Sequence, residues 1–95
     1  MKFKHNALLC SLAACYGQLE ILKWAHENGY NWDEQTMNVS AQGHLDCLKY
    51  AHENGCPWGE YTCLLAIVHI DALRYARDKG CPWNNLTLLL EYINN

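Results

Sequence analysis

Long apolar runs are missing from this sequence, and so are clusters of positive charge. No segment approaches the roughly 18–20 consecutive apolar residues of a membrane span. Lys and Arg number 7 against 10 Asp and Glu, a formal net charge of −3, and the cations never form a run. That argues against an electrostatic footprint for nucleic acid and against a polybasic membrane anchor. The two-residue alternation of a half-buried strand is absent. A glycine-rich phosphate loop and a nucleophile elbow are absent too. The expectation is therefore no enzyme, no cofactor, no nucleic acid and no membrane.

What the chain does have is apolar content. Hydrophobic residues make up 51% and charged ones 18%, which separates it from disordered chains. Ninety-five residues allow one small domain. The start, Met1 to Asn6 followed by Ala7 to Cys15, has the basic and then short apolar order of a signal peptide. The same run aligns with the first helix of the later units, which explains it without secretion.

The organising feature is a stretch that occurs three times. His44-Leu-Asp-Cys-Leu-Lys-Tyr-Ala-His-Glu-Asn-Gly-Cys-Pro-Trp58 has counterparts at Gln18 to Trp32 and at His69 to Trp83. Trp32, Trp58 and Trp83 stand 26 and 25 residues apart, and Gly29, Gly55 and Gly80 repeat both steps. Self-similarity at a period of roughly 20–50 residues signals a solenoid, built for binding rather than catalysis.

Six cysteines could suggest a disulfide scaffold. Within the repeat, Cys56 and Cys81 share one position, and Cys10 and Cys63 share another. Equivalent positions in stacked helices lie about 8–10 Å apart, beyond the roughly 7 Å Cα separation that a disulfide spans. Reduced, buried thiols in a cytoplasmic compartment follow. The sequons at Asn38 and Asn85 then carry no glycan.

In chain order, Ala7–Tyr16 and Gln18–Asn28 read as a helix pair joined at Gly17. Gly29 stops the second helix in a left-handed turn. Thr36 is the expected cap of the next helix. The second pair is Thr36–Gln42 and His44–Asn54, and the third is Thr62–Val68 and Ile70–Lys79. Thr87 opens a single further helix. The spacing from first helix to turn shrinks, from Cys10 to Gly17, Met37 to Gly43 and Cys63 to Val68. Each lost residue would rotate the helix phase by about 100°. Val68 also stands where a turn glycine is expected, so the third first-helix should be short and its turn rebuilt.

With Thr36, Ser40-Ala41, Gly43-His44-Leu45, Leu48, Tyr50-Ala51 and Gly55-Cys56 in register, the chain resembles the ankyrin repeat. It looks most like the compact variant ending in His-Glu-Asn-Gly-Cys-Pro-Trp, found in large arrays of giant DNA viruses and free-living protists. The resemblance spans about residues 7–94. It implies an all-α, ankyrin-like α-solenoid of stacked antiparallel helix pairs with shortened hairpin connectors. The single domain, 1–95, would hold units at about 7–35, 36–61 and 62–86, with a partial unit at 87–95. Family members often join an F-box, and no such segment is visible here. The resemblance implies binding of another protein, without naming one, in the cytoplasm (the host's, if the chain is viral).

Trp32, Trp58 and Trp83 are expected to form a ladder in which each ring covers its neighbour. Trp24, Tyr50 and Tyr75 would form a second, inter-unit ladder. His44 and His69 are expected to bond backbone across the turn, as in ankyrin-like units. Glu20/Lys23, Asp46/Lys49 and Asp71/Arg74 read as outer-face ion pairs. His52 and Cys56 lie four apart, but zinc takes four ligands and no second pair has suitable spacing.

What varies between units is the connector. Solenoids place such variation along one edge, commonly the binding surface. The candidate protein-binding residues are Asp33, Glu34, Gln35, Glu60, Tyr61, Asn84 and Asn85, with Tyr61 as the anchor because aromatics dominate hot spots. The leading expectation is an adaptor that uses this edge and the adjacent first helices. The alternative is a self-associating stack, or a remnant of a longer array. Leu8, Leu9 and Leu12 near one end, and Leu88, Leu89, Leu90 and Ile93 near the other, look under-capped for a solenoid terminus.

Overall fold

Hydrophobic spacing and glycine stops produce six helices and no strand among the described residues. The structure is a computed structural model and describes residues 7–82. The helices are α1 (Leu8–Cys15), α2 (Leu19–Glu27), α3 (Glu34–Ser40), α4 (Leu45–Glu53), α5 (Thr62–Leu65) and α6 (Ile70–Asp78). The expected helix from Thr87 lies outside the described residues. Each odd helix packs on the even helix that follows it. The odd helices also pack in series, α1 on α3 on α5, and so do the even ones, α2 on α4 on α6. Two layers result.

The core follows the repeat. Leu22, Leu48 and Leu73 are buried at one position, and Ala25, Ala51 and Ala76 at another. Alanine at the second position lets the even helices approach closely. Small core residues leave little apolar area per helix, so the polar junctions between units matter more than in a leucine-rich bundle.

Each even helix stops in the same way. Gly29, Gly55 and Gly80 take φ of 83°, 91° and 86°, a region that only glycine enters at no cost. The chain then turns back on itself. The N–H groups of Tyr30, Cys56 and Cys81 donate to Ala25 O, Ala51 O and Ala76 O at 3.0, 2.9 and 2.9 Å. Those bonds are the closing contacts of the Schellman motif.

The shrinking first turn is resolved within the turn itself. Gln18 N–H donates to Ala13 O at 2.8 Å, His44 N–H to Ser40 O at 2.9 Å, and His69 N–H to Ala66 O at 2.8 Å. Donors and acceptors are equivalent from unit to unit, but they lie five, four and three residues apart. One hydrogen bond therefore closes loops of decreasing length, and the even helices keep their phase. Cys47, Leu48 and Ala51 of α4 are buried, and so are their counterparts Ala72, Leu73 and Ala76 of α6. The expected rotation of the helix face does not occur. The third turn needs no left-handed residue, and none of the described non-glycine residues has a positive φ.

Helix α5 has four residues, short as expected, and most of the loss is at its start. Helix α3 is capped by Asp33, whose carboxylate accepts the Gln35 N–H at 2.9 Å. Thr36 is not the cap, contrary to expectation. It sits at the third helical position and its hydroxyl accepts the Asp33 N–H at 3.4 Å, completing a capping box. In the third unit Gly59 replaces Asp33, so no carboxylate is available, and α5 begins two residues later than α3 does.

The two turn glycines of the first and second units answer a further demand. The His44 ring lies over Gly17, where a Cβ would come 2.5 Å from Nδ1, and His69 lies over Gly43, at 3.2 Å from Cε1. These histidines pack on the preceding unit's glycine, which corrects the expected imidazole-to-backbone bond. Gly17→Ala is expected to cost about 1 kcal/mol more than Gly29→Ala, because both meet a positive φ but only Gly17 also meets a ring. Urea denaturation of the two variants checks this; equal losses would mean that His44 does not rest on the turn.

Candidate protein-binding surface

The connector residues emerge where the odd helices begin. Asp33, Glu34, Gln35, Glu60 and Tyr61 are all exposed. Glu34 and Gln35 form the first turn of α3, and Tyr61 stands just before α5 with 49% of its surface open. The structure thus places five of the candidates along the starts of α3 and α5. Asn84 and Asn85 lie outside the described residues. Asp33 is partly committed, since its carboxylate holds the α3 start.

Behind this edge the units are joined by a buried polar junction that sequence reasoning did not foresee. The Thr62 hydroxyl donates to Asn38 Oδ1 at 2.7 Å and accepts the Gly59 N–H at 2.9 Å. The equivalent Thr36 hydroxyl meets Ser11 Oγ at 3.3 Å and accepts from Asp33 N–H at 3.4 Å. A polar residue on one odd helix thus reaches the threonine that organises the next connector. Gly59 is buried, and a Cβ there would collide with Asn38 Oδ1, so the junction requires glycine at this position. The signal was legible in principle: Ser11 and Asn38 share a repeat position, one residue past Cys10 and Met37. Leu64 follows at that position and has no hydrogen-bonding group.

Aromatic rings join the even helices. Trp32 stacks on His26 with centroids 3.9 Å apart and planes at 10°, and Tyr50 of the next unit meets both edge-on at 6.1 and 5.9 Å. Trp58 stacks on His52 at 4.5 Å, and Tyr75 meets that histidine edge-on at 5.9 Å. The expected ladder of tryptophan on tryptophan is replaced by a stack of tryptophan on its own unit's histidine, closed by the next unit's tyrosine. Trp83 lies outside the described residues. Trp24, at the tyrosine position of the first unit, is 53% exposed rather than core.

The outer charges also differ from expectation. Lys23 pairs with Glu20 at 3.7 Å, but no ion pair joins Asp46 to Lys49 or Asp71 to Arg74 among the described residues. Lys23 lies over the Tyr50 ring at 5.8 Å and Lys49 over Tyr75 at 5.6 Å, so the repeated lysine bridges to the next unit as a cation–π partner. Asp46 instead accepts the Cys47 N–H at 2.8 Å.

Two surface features on the opposite side escaped sequence reasoning. A shallow hollow of about 200 Å³ is lined by Gly43, Leu45, His69, Ile70, Asp71 and Ala72. Beside it Val68 and Ile70 are 77% and 59% exposed. The signal was Val68 in place of the turn glycine.

All six cysteines are thiols, and Cys15 alone among them is exposed. Burial is the main cause that pushes Cys10 up to about 11 and Cys47 and Cys56 up to about 12, so these thiols stay protonated and unreactive at neutral pH. No group of three or more His, Cys, Asp or Glu residues arranged to hold a metal occurs among the described residues. No described helix is long and apolar enough to cross a membrane. Comparison with family models, curated proteins and solved structures gives no match.

Thr62→Val keeps the shape of the junction and leaves Asn38 Oδ1 and the Gly59 N–H without their partner. It is expected to destabilise the chain by about 2 kcal/mol in urea denaturation. Thr36→Val, whose bonds are longer, should cost less; the reverse order would contradict the junction described.

Proposed function

We propose that the chain is a protein–protein interaction module of the ankyrin-repeat type, an α-solenoid that binds its partner along the connector edge. The observation that carries this reading is the division of labour among side chains. The repeated positions, Thr36 and Thr62, His26 and His52, Tyr50 and Tyr75, face neighbouring units. Connector residues, Asp33 to Gln35 and Glu60 to Tyr61, face solvent, and Gln35 and Tyr61 differ at one repeat position, while Gly59 at the position of Asp33 is buried. A stack whose joints are repetitive and whose edge is not suits recognition. Tyr61 is the anchor and the neighbouring carboxylates, Asp33, Glu34 and Glu60, favour a partner with basic residues around an apolar contact. Asn84 and Asn85 would extend the same edge. A partner selected against the intact protein is expected to lose affinity at least about tenfold on Tyr61→Ala and to ignore Gln42→Ala at the opposite turn. Unchanged affinity for Tyr61→Ala in a calorimetric titration would remove this edge from the reading.

A second reading, self-association, is favoured by a specific comparison. Val39, Cys47 and Tyr50 of the second unit pack against the core of the first. Their counterparts in the first unit are Leu12, Ile21 and Trp24, larger than the residues they match and 45%, 47% and 53% exposed. Among the described residues, the first unit thus offers an exposed copy of the face that joins units. Its occupant in this reading is a second chain. Sedimentation equilibrium across a range of concentrations tests it: a dimer that disperses on Ile21→Glu supports the second reading, and a monomer at all concentrations rejects it.

A further inference from the structure

The repeat places two cysteines side by side in the third unit alone. One position on the odd helix (Cys10, Met37, Cys63) faces the residue just past the stop glycine (Tyr30, Cys56, Cys81). Cys10 Sγ lies 3.9 Å from Tyr30 O, and Cys63 Sγ lies 3.9 Å from Cys81 O. The first unit therefore pairs a cysteine with a tyrosine, and the second a methionine with a cysteine. In the second unit Cys56 Sγ turns to Asp33 O at 3.3 Å. In the third unit both partners are cysteines, which share one small core cluster with Ala76, and Trp58 packs against it. Cys63 is 0% and Cys81 3% exposed.

We propose that Cys63 and Cys81 form an intramolecular disulfide when the chain meets a small disulfide oxidant, making the third unit a site of reversible oxidation. The chemistry is thiol–disulfide exchange. A thiolate of the pair attacks glutathione disulfide, giving a mixed disulfide and one glutathione. The second thiol loses its proton, and its sulfur displaces the second glutathione. Two cysteine thiols and one glutathione disulfide thus become one cystine and two glutathiones, with both protons retained on the released thiols.

The surroundings set the rate. Contact with the Cys63 side chain, together with burial, pushes the Cys81 thiol upward, so attack requires the pair to open to solvent. Helix α5 supplies that opening. It has four residues, no side-chain cap, and begins after a glycine where α3 has an aspartate. Short, uncapped elements open at low free energy. Once formed, the bond would tie the start of α5 to the stop of α6 across the whole third helix pair.

The test uses the full chain carrying Cys15→Ser, which removes the exposed competitor. The reduced protein is incubated with glutathione disulfide, quenched with N-ethylmaleimide and examined by intact mass and peptide mapping. The expected result is a loss of two hydrogens and a bond between Cys63 and Cys81. The oxidised form should melt about 5 °C higher than the reduced form and return on addition of dithiothreitol. Cys63→Ala and Cys81→Ala should each abolish the bond. Should either variant fail to fold, the mapped bond and the melting shift of the Cys15→Ser protein decide the matter. A bond mapped to any other pair overturns the proposal, as do thiols that stay reduced even in mild denaturant, or an oxidised form that melts lower.

Discussion

A single backbone hydrogen bond fixes the phase on which the rest of the molecule depends. It runs from the residue before each even helix to the equivalent carbonyl at the end of the odd helix, at 2.8, 2.9 and 2.8 Å. Because its two ends are constant, the loop between them can lose residues without turning the even helix about its axis. The buried leucines and alanines therefore stay on one face, and the histidine and tyrosine rings stay aligned from unit to unit. Had the lost residues been taken from the helix instead, each would have swung that face by about 100°. The stacked rings, the lysines above them and the turn glycines beneath His44 and His69 would then have lost their partners.

The joints of the fold are mostly polar or aromatic. Alanine and cysteine dominate the buried positions, so apolar area alone gives each interface modest stability. Directional contacts make up the difference. A threonine hydroxyl that both donates and accepts satisfies two buried groups at once, and an edge-on tyrosine adds about 0.5–1.5 kcal/mol beyond its area. Directionality also fixes geometry, because a hydrogen bond of 2.7 Å tolerates less sliding than an apolar contact does. The units are thus held at defined positions, and the connector edge inherits that order.

The repeat made much of this legible before any coordinates. Glycine and tryptophan spacing gave six helices within the described residues, the stops at Gly29, Gly55 and Gly80, and a short α5. Equivalence between units is what a repeat reveals. It does not reveal which positions meet, and the misplaced expectations share that cause. Trp32, Trp58 and Trp83 occupy one position, but a ring one full unit away is farther than His26 or His52 on the same unit, so the histidines take the stack. Lys49 has Asp46 on its own helix, but the Tyr75 ring across the joint holds it instead. Thr36 has the right chemistry for a cap, yet Asp33 reaches the free N–H groups first. For the proposed binding surface, the sequence nominated connector residues that are exposed, and the structure added that Asp33 is partly spent on the helix it begins. The hollow beside His69 and the contact between Cys63 and Cys81 needed coordinates, since each arises from positions in different helices.

The turn that closes over three residues between Ala66 and His69 carries a consequence for how such a unit can vary in length. Hydrogen-bonded rings of five, four and three residues belong to the ordinary repertoire of helix ends and turns. The next smaller ring is the γ-turn, which holds its central residue in a narrow and often strained conformation. The third unit therefore stands at a floor. A residue can be inserted there by returning to the geometry of the second or first unit. A further deletion has no comparable geometry to adopt, so any shorter unit must lose its residue from the connector or from a helix. Length variation at this joint is in that sense a ratchet, open toward longer turns and closed toward shorter ones.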